Sequence, residues 1–309
     1  MAIKILIDTD PGIDDALAIA YALADTELHL VGLTTIFGNV SVDQATHNAL
    51  ALLSHLGQNH VPVARGATRP LVQTPLPHPD FVHGADGFGG AELPQSVNTA
   101  HSREAADFII DVLRDSPGEI VVVALGPLTN IAEALRRDPM IADFVKLLVV
   151  MGGAYQRSGN ATRHAEANIW QDPHAADLVF KSNCPLHLVG LNVTEMVLCT
   201  REDFDLLASR KPKSGAFLRK AVEFYMNFHK ESAGIDGCFL HDPSAVIAAV
   251  EPRLFNFHEI PIMVACSGVQ TGSTVAATDG RSTIKVGLSV DQEALKRRFL
   301  EVICDGPLP

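Results

Sequence analysis

Five apolar runs of strand length, with amphipathic stretches between them, constrain the fold of this chain more than any other feature. The runs are Ile3 to Ile7, Leu28 to Ile36, Ile120 to Leu125, Leu147 to Met151 and Leu186 to Leu191. A largely continuous apolar run, as opposed to a strict polar–apolar alternation, is what a strand covered on both faces requires. The intervening stretches Asp14 to Ala24, Val42 to Leu56, Ser102 to Arg114, Leu128 to Arg136 and Pro173 to Lys181 carry helical spacing. Repetition of this βα unit predicts an α/β fold, an open and mostly parallel central sheet with helices on both faces in the Rossmann-like manner.

The pattern changes in the last third. Ser214 to Lys230 and Asp242 to Val250 read as helices, the second opening on an acidic residue. Ile260 to Cys266, Ser273 to Ala277 and Thr283 to Val286 read as short strands, and Asp291 to Ile303 as a closing helix, so the chain end is expected to add strands to the same sheet. No linker interrupts the sequence, and one domain over residues 1–309 is expected. Two segments rich in Gly, Pro and His, Leu71 to Gly90 and Arg157 to Ala165, lack apolar periodicity and are long for connections, as loops over a binding site often are.

A hydrophobic fraction of 47% supports a buried core, and a formal net charge of -12 without a basic cluster argues against a nucleic-acid polymer as partner. The five cysteines, at 184, 199, 238, 266 and 304, have no zinc-binding spacing and read as reduced thiols. The apolar stretch at the N-terminus meets Asp8 too soon for a signal peptide or a membrane span, so a cytoplasmic location is expected.

In an open α/β sheet, ligands bind beyond the carboxyl ends of the strands. The first strand ends in Asp8-Thr9-Asp10-Pro11-Gly12 and leads into Asp14-Asp15. The other strands end in Gly38-Asn39, Gly126-Pro127-Leu128-Thr129-Asn130, Met151-Gly152-Gly153 and Gly190-Leu191-Asn192-Val193-Thr194. Acids, amides and glycine turns thus converge on one edge. Asp8, Asp10, Asp14 and Asp15 would repel one another in a partly buried site unless a cation were bound. Oxygen-only donors favour calcium or magnesium over zinc. The plainer reading is that Asp14 and Asp15 only favour a helix N-terminus. Successive helical residues point about 100° apart, so if one of the two binds metal the other should serve a substrate hydroxyl. Farther on, His241-Asp242-Pro243 sets an imidazole beside an acid at a helix start, an arrangement that by itself is more often structural.

The run Asp8-Thr9-Asp10-Pro11-Gly12-Ile13-Asp14-Asp15-Ala16, together with His241-Asp242-Pro243, resembles the inosine-uridine preferring nucleoside hydrolase family. Further matches are Gly38-Asn39, His83-Gly84-Ala85-Asp86-Gly87, Gly126 to Asn130, Met151-Gly152-Gly153, and Asn160 with Ala165 to Ile169, so the resemblance covers nearly the whole chain. It implies the nucleoside hydrolase fold and calcium-dependent cleavage of ribonucleosides to free base and ribose. It also implies calcium held by Asp10, Asp15, Asp242 and the Leu125 carbonyl, with Asp14, Asn39, Asn160, Glu166 and Asn168 bonding the sugar. Asp10 is the candidate general base and His241 the candidate acid for the departing base, while Asp8 is read as a structural residue at the strand end. His83, Tyr225 and His229 are candidate contacts to the nucleobase, Tyr225 and His229 sharing one helix face. A homodimer or homotetramer is implied as well.

Two positions depart from the family pattern. Asn192 replaces an Asp common in a Gly-Leu-Asp-Val-Thr stretch, which puts a metal or charge role there in doubt, and Ala167 replaces a bulky aromatic. Two other readings compete. A haloacid-dehalogenase-like phosphotransferase also places Asp-x-Asp after a strand, but Pro11 and the lack of a nearby Lys disfavour it. A non-catalytic nucleoside-binding protein on the same scaffold is the other, against which stand the intact Asp10 and His241.

Overall fold

A computed structural model describes residues 2–309. Twelve strands occur among the described residues: β1 Ile3–Thr9, β2 Leu28–Thr35, β3 Val63–Arg65, β4 Ile120–Ala124, β5 Leu147–Met151, β6 Leu186–Val189, β7 Leu198–Cys199, β8 Cys238–Phe239, β9 Phe255–Ile260, β10 Ile262–Val264, β11 Thr274–Ala276 and β12 Ile284–Val290. Eight of them form one sheet in the order β3-β2-β1-β4-β5-β6-β12-β9. All neighbours pair in parallel except the outermost pair, β12 with β9.

The sheet is buried on both faces, as its composition requires. One apolar layer holds Ile5, Ile7, Val121, Val123 and Val149 and packs against the helices Ile13–Ala24 and His241–Val250. The other holds Leu6, Val122, Leu148 and Val150 and packs against the helices Ala105–Asp115, Thr129–Arg137 and Pro173–Lys181. Alternate residues of one strand therefore enter opposite layers, which is why these strands show no polar face in the sequence.

The chain end differs from expectation in detail. β12 joins β6 and extends the main sheet, but the runs near Ile262 and Thr274 form a separate antiparallel pair, β10 with β11. The outermost strand is instead β9, whose residues alternate in burial. The expected loop Leu71 to Gly90 contains a short helix, Asp80–His83.

The sheet order reverses direction between β1 and β4. This is the topological switch point of an open α/β sheet, where the connections leave on opposite faces and a crevice opens at the carboxyl ends. The register sets Asp8 beside Thr34 on one side and Ala124 on the other, so Asp10 and Leu125 emerge together at that crevice. The ladder continues past the strands, with the Leu125 N–H donating to the Asp8 carbonyl at 2.8 Å and the Ile36 N–H to the Thr9 carbonyl at 3.0 Å.

Candidate active site

The loop between β1 and the helix Ile13–Ala24 is organised by its own carboxylates. Asp15 Oδ1 accepts from the Thr9 hydroxyl at 2.5 Å and the Asp10 N–H at 3.2 Å, and Oδ2 from the Gly12 N–H at 2.9 Å and Asn39 Nδ2 at 3.0 Å. Asp10 Oδ2 accepts from the Asn39 N–H at 2.6 Å. Asn39 therefore orients two carboxylates at once. One N–H of its side-chain amide is directed at Asp15. Gly38 and Gly126 flank Asp10, and a Cβ on either would overlap its carboxylate oxygens. Asp8 is tied by the Thr34 hydroxyl at 2.5 Å and Asn130 Nδ2 at 2.7 Å, and it is fully buried with its pKa pushed up to about 7, chiefly by desolvation.

Asp14, Asp15 and Asp242 each offer a carboxylate oxygen within 4.8 Å of the others, forming an acidic cluster that could hold a metal ion. Asp10 lies beside them, its charge among those that push the Asp242 carboxyl well above its ordinary range after burial itself. Burial, followed by the charge of Asp15, raises Asp14 to about 8 and Asp10 well above normal. Asp10 Oδ1 and Asp14 Oδ1 are buried and accept no hydrogen bond. Buried anionic oxygens without donors are costly unless a cation meets them. The donors are all oxygen, which fits a hard divalent ion. The family resemblance implies Asp10 where this trio has Asp14. Asp10 stands beside the trio, with Oδ2 accepting from the Asn39 N–H and Oδ1 unengaged.

On the β4 and β5 side, the Leu125 carbonyl and the Met151 carbonyl both accept from Asn168 Nδ2, at 2.6 and 3.2 Å. Glu166 is buried as the N-cap of the helix Ala167–Gln171 and accepts from the N–H groups of Asn168, Ile169 and Gly153 at 2.9, 3.2 and 3.0 Å. Its charge also raises Asp14, which places it by the cluster. Asn160 is exposed, and its Oδ1 accepts from the Ala167 N–H at 3.0 Å. The residues expected to bind sugar thus also fix one another's backbone.

A row of rings adjoins the cluster at Asp14. His83 is buried at the end of its short helix, where Nδ1 accepts from the Ile13 N–H at 3.2 Å and lies 3.9 Å from Asp14 Oδ1. An acceptor Nδ1 leaves the neutral ring protonated at Nε2, and burial lowers its pKa to about 3. His83 stacks on Tyr225 with centroids 5.6 Å apart, Tyr225 meets His229 edge-on at 4.4 Å, His229 meets Phe239 at 5.4 Å, and Phe239 meets His241 at 5.8 Å. His229 Nδ1 lies 2.9 Å from the Tyr225 carbonyl, which can only accept, so this ring is the opposite tautomer. His241 Nδ1 is 2.7 Å from the Thr194 hydroxyl, and burial lowers its pKa to about 3, so the resting imidazole is neutral. Nothing in the sequence marks Thr194 beyond its place at the end of the strand-end segment Gly190 to Thr194.

Set beside known proteins, the chain matches the profile of the inosine-uridine preferring nucleoside hydrolases over residues 5–297. It belongs to this family. A relative from Oryza sativa subsp. japonica, named "Probable uridine nucleosidase 2", is 46% identical over 273 residues, which are 88% of this chain and 81% of the relative. Two solved structures superpose with a TM-score of 0.94: a plant nucleoside hydrolase, 39% identical, covering 98% of this chain and 99% of its own, and a purine-preferring ribonucleoside hydrolase from Gardnerella vaginalis, 37% identical, covering 98% of each. As a member of the family the chain is a hydrolase acting on N-glycosyl compounds. No helix among the described residues is long and apolar enough to cross a membrane.

Proposed function

We propose that this member of the family cleaves ribonucleosides to free base and ribose with calcium at the acidic cluster, Asp10 as general base and His241 as donor to the leaving base. The observation that carries the reading is the pair of buried, unpartnered carboxylate oxygens on Asp10 and Asp14, at the switch point of the sheet and connected through His83 to the row of rings that ends at His241. Calcium, held by Asp10, Asp15, Asp242 and the Leu125 carbonyl, would orient a water and make it easier to deprotonate. Asp10 Oδ1 is free to take the proton, because only Oδ2 is engaged by Asn39. As the bond to C1′ breaks, the sugar becomes oxocarbenium-like, and the surrounding carboxylates stabilise that charge. Asp14 is assigned to a ribose hydroxyl, together with Asn39, Asn160, Glu166 and Asn168.

His241 at rest is neutral and so acts as a donor only in one tautomer. With the Thr194 hydroxyl donating to Nδ1, the neutral ring presents its Nε2 N–H as a hydrogen bond to the departing base; transfer of a whole proton requires the imidazolium, whose Nδ1 N–H would then donate to the Thr194 oxygen. Tyr225, His229 and His83 are assigned to the base. The relative named as a uridine nucleosidase and the neighbour named as purine-preferring make uridine and inosine the first substrates to compare. A homodimer or homotetramer is part of the same reading, and sedimentation velocity measures it.

The test is release of ribose from inosine, uridine and cytidine before and after chelation. Calcium is expected to restore turnover where zinc does not, and Asp10→Asn to abolish turnover in a folded protein. No turnover by calcium-loaded enzyme would leave a binding protein, and hydrolysis of a phosphate ester would favour a phosphotransferase.

A further inference from the structure

The segment after β5 is strapped to the helix Leu191–Thr194 at four points. The Leu191 N–H donates to the Gly153 carbonyl at 2.9 Å, and Asn192 Nδ2 donates to the Tyr155 carbonyl at 2.8 Å. Arg157 Nη1 donates to the Leu191 carbonyl at 2.5 Å, while Nη2 pairs with Glu195. Between Tyr155 and Arg157 stands Gln156 at φ 55°, the only non-glycine residue with positive φ among those described. A residue with a side chain holds that conformation only where its surroundings enforce it. Here the contacts on both sides do so.

What the strap joins gives it a role. Beyond Arg157 the chain runs through Asn160 to Glu166 and Asn168, on the sugar side of the site. At the far end of the strapped helix, Thr194 holds His241 on the leaving-group side. Arg157 serves a carbonyl and a carboxylate at once, which a planar guanidinium does and a single ammonium does poorly. Asn192 must be an amide for its bond, because an aspartate would present only acceptors to the Tyr155 carbonyl.

We propose that Arg157, Glu195 and Asn192 are positioning residues, a latch that holds the 155–165 loop against the helix carrying Thr194 and so keeps both halves of the site assembled before substrate arrives. The inference rests on the ribonucleoside hydrolase reading of that site. It gives the departure at Asn192 a purpose, since the amide closes the loop. Unlatching lowers the fraction of enzyme in the binding-competent arrangement, which raises apparent KM by the same factor and leaves kcat nearly unchanged. Arg157 and Glu195 keep 32% and 26% of their side-chain surface in solvent, so the effect is moderate, about 3- to 10-fold.

The experiment combines steady-state kinetics with hydrogen exchange on the calcium-loaded enzyme. Arg157→Ala, Glu195→Ala and Asn192→Asp should each raise KM for inosine and uridine about 3- to 10-fold with kcat within about twofold. The Arg157→Ala/Glu195→Ala pair should do no worse than Arg157→Ala, because Arg157→Ala already removes the ion pair that Glu195→Ala breaks. Amides of residues 155–165 should exchange faster in Arg157→Ala while those of β1 and β4 do not change. Unchanged exchange in that loop, additive single effects, or a fall in kcat at constant KM would each overturn the latch. Exchange needs no turnover, so a wild-type protein inactive on all nucleosides would sink the hydrolase reading while the latch itself was still measured.

Discussion

Stripped of divalent ions, the protein should lose stability as pH rises, and calcium should remove that loss. Asp14 moves from 3.8 to about 8 on folding, chiefly by burial and then by the charge of Asp15. Between those two values the folded state holds a proton that the unfolded state has released. Stability is therefore unaffected below about 3.8, falls as pH climbs, and stops falling above about 8. From about pH 5 to 8 one such proton costs about 1.4 kcal/mol per decade, or about 4 kcal/mol in all. At about 2.1 cal/mol/K per residue over 309 residues, the unfolding entropy is about 0.65 kcal/mol/K, and the loss corresponds to about 6 °C in Tm. Asp10 and Asp242, also pushed up, act in the same direction. A divalent ion bound at the cluster, calcium in the proposed function, would hold it ionised in the fold and remove the proton uptake that drives the slope. Asp8, raised to about 7 but tied to Thr34 and Asn130, keeps its own slope in both samples and cancels in their difference. The assay is calorimetry across that pH range in chelator and in millimolar calcium. Parallel Tm curves would refute the argument, since they would mean that the cluster exchanges no protons on metal binding.

Three further outcomes test the site. His241→Ala should slow inosine and uridine by about 10²- to 10⁴-fold and an activated aryl riboside far less, as side-by-side kcat values would show, while equal losses would remove His241 as the donor. Gly126→Ala drives a Cβ onto Asp10 Oδ1, and kcat/KM should fall at least about 100-fold with calcium affinity weakened in a calorimetric titration. Asn130→Ala strips a donor from Asp8 and a partner from the Ala67 N–H, which should cost about 1–3 kcal/mol in denaturant unfolding and leave catalysis by calcium-loaded enzyme largely intact.

The parts of the fold legible in the sequence are those that burial on both faces makes apolar. β4 and β5 fall within a residue of expectation because every side chain of Ile120–Ala124, and nearly every one of Leu147–Met151, is buried. β9 is not legible, because Phe255 and Phe257 alternate with Asn256 and His258, a pattern too weak to mark a strand at an edge. β3, three residues long, offers no periodicity at all. The β10 and β11 runs read as strands, but their pairing apart from the main sheet is not legible, since it is decided by long-range contacts that local composition does not encode.

At the site, residue type told the chemistry but not which atom faces which. Four aspartates in eight positions signal a cation, and nothing in their order tells that Asp10 turns one oxygen to Asn39 or that Asp14 closes on Asp242. Those choices are made by groups from β2, β4 and the helix at His241, brought together only by the reversal of sheet order between β1 and β4. The same holds for Glu166, whose carboxylate is shared among three backbone N–H groups and so fixes a loop as much as it can touch a sugar. Thr194 has no signature, because a hydroxyl acquires its role only when a ring from a distant helix is set 2.7 Å away. A polar side chain in such a site owes its function to what orients it, and the orienting groups lie on other strands. The sequence can therefore nominate the carboxylates and the imidazole, whereas the threonine and the Arg157 latch that position them become visible only in the assembled fold.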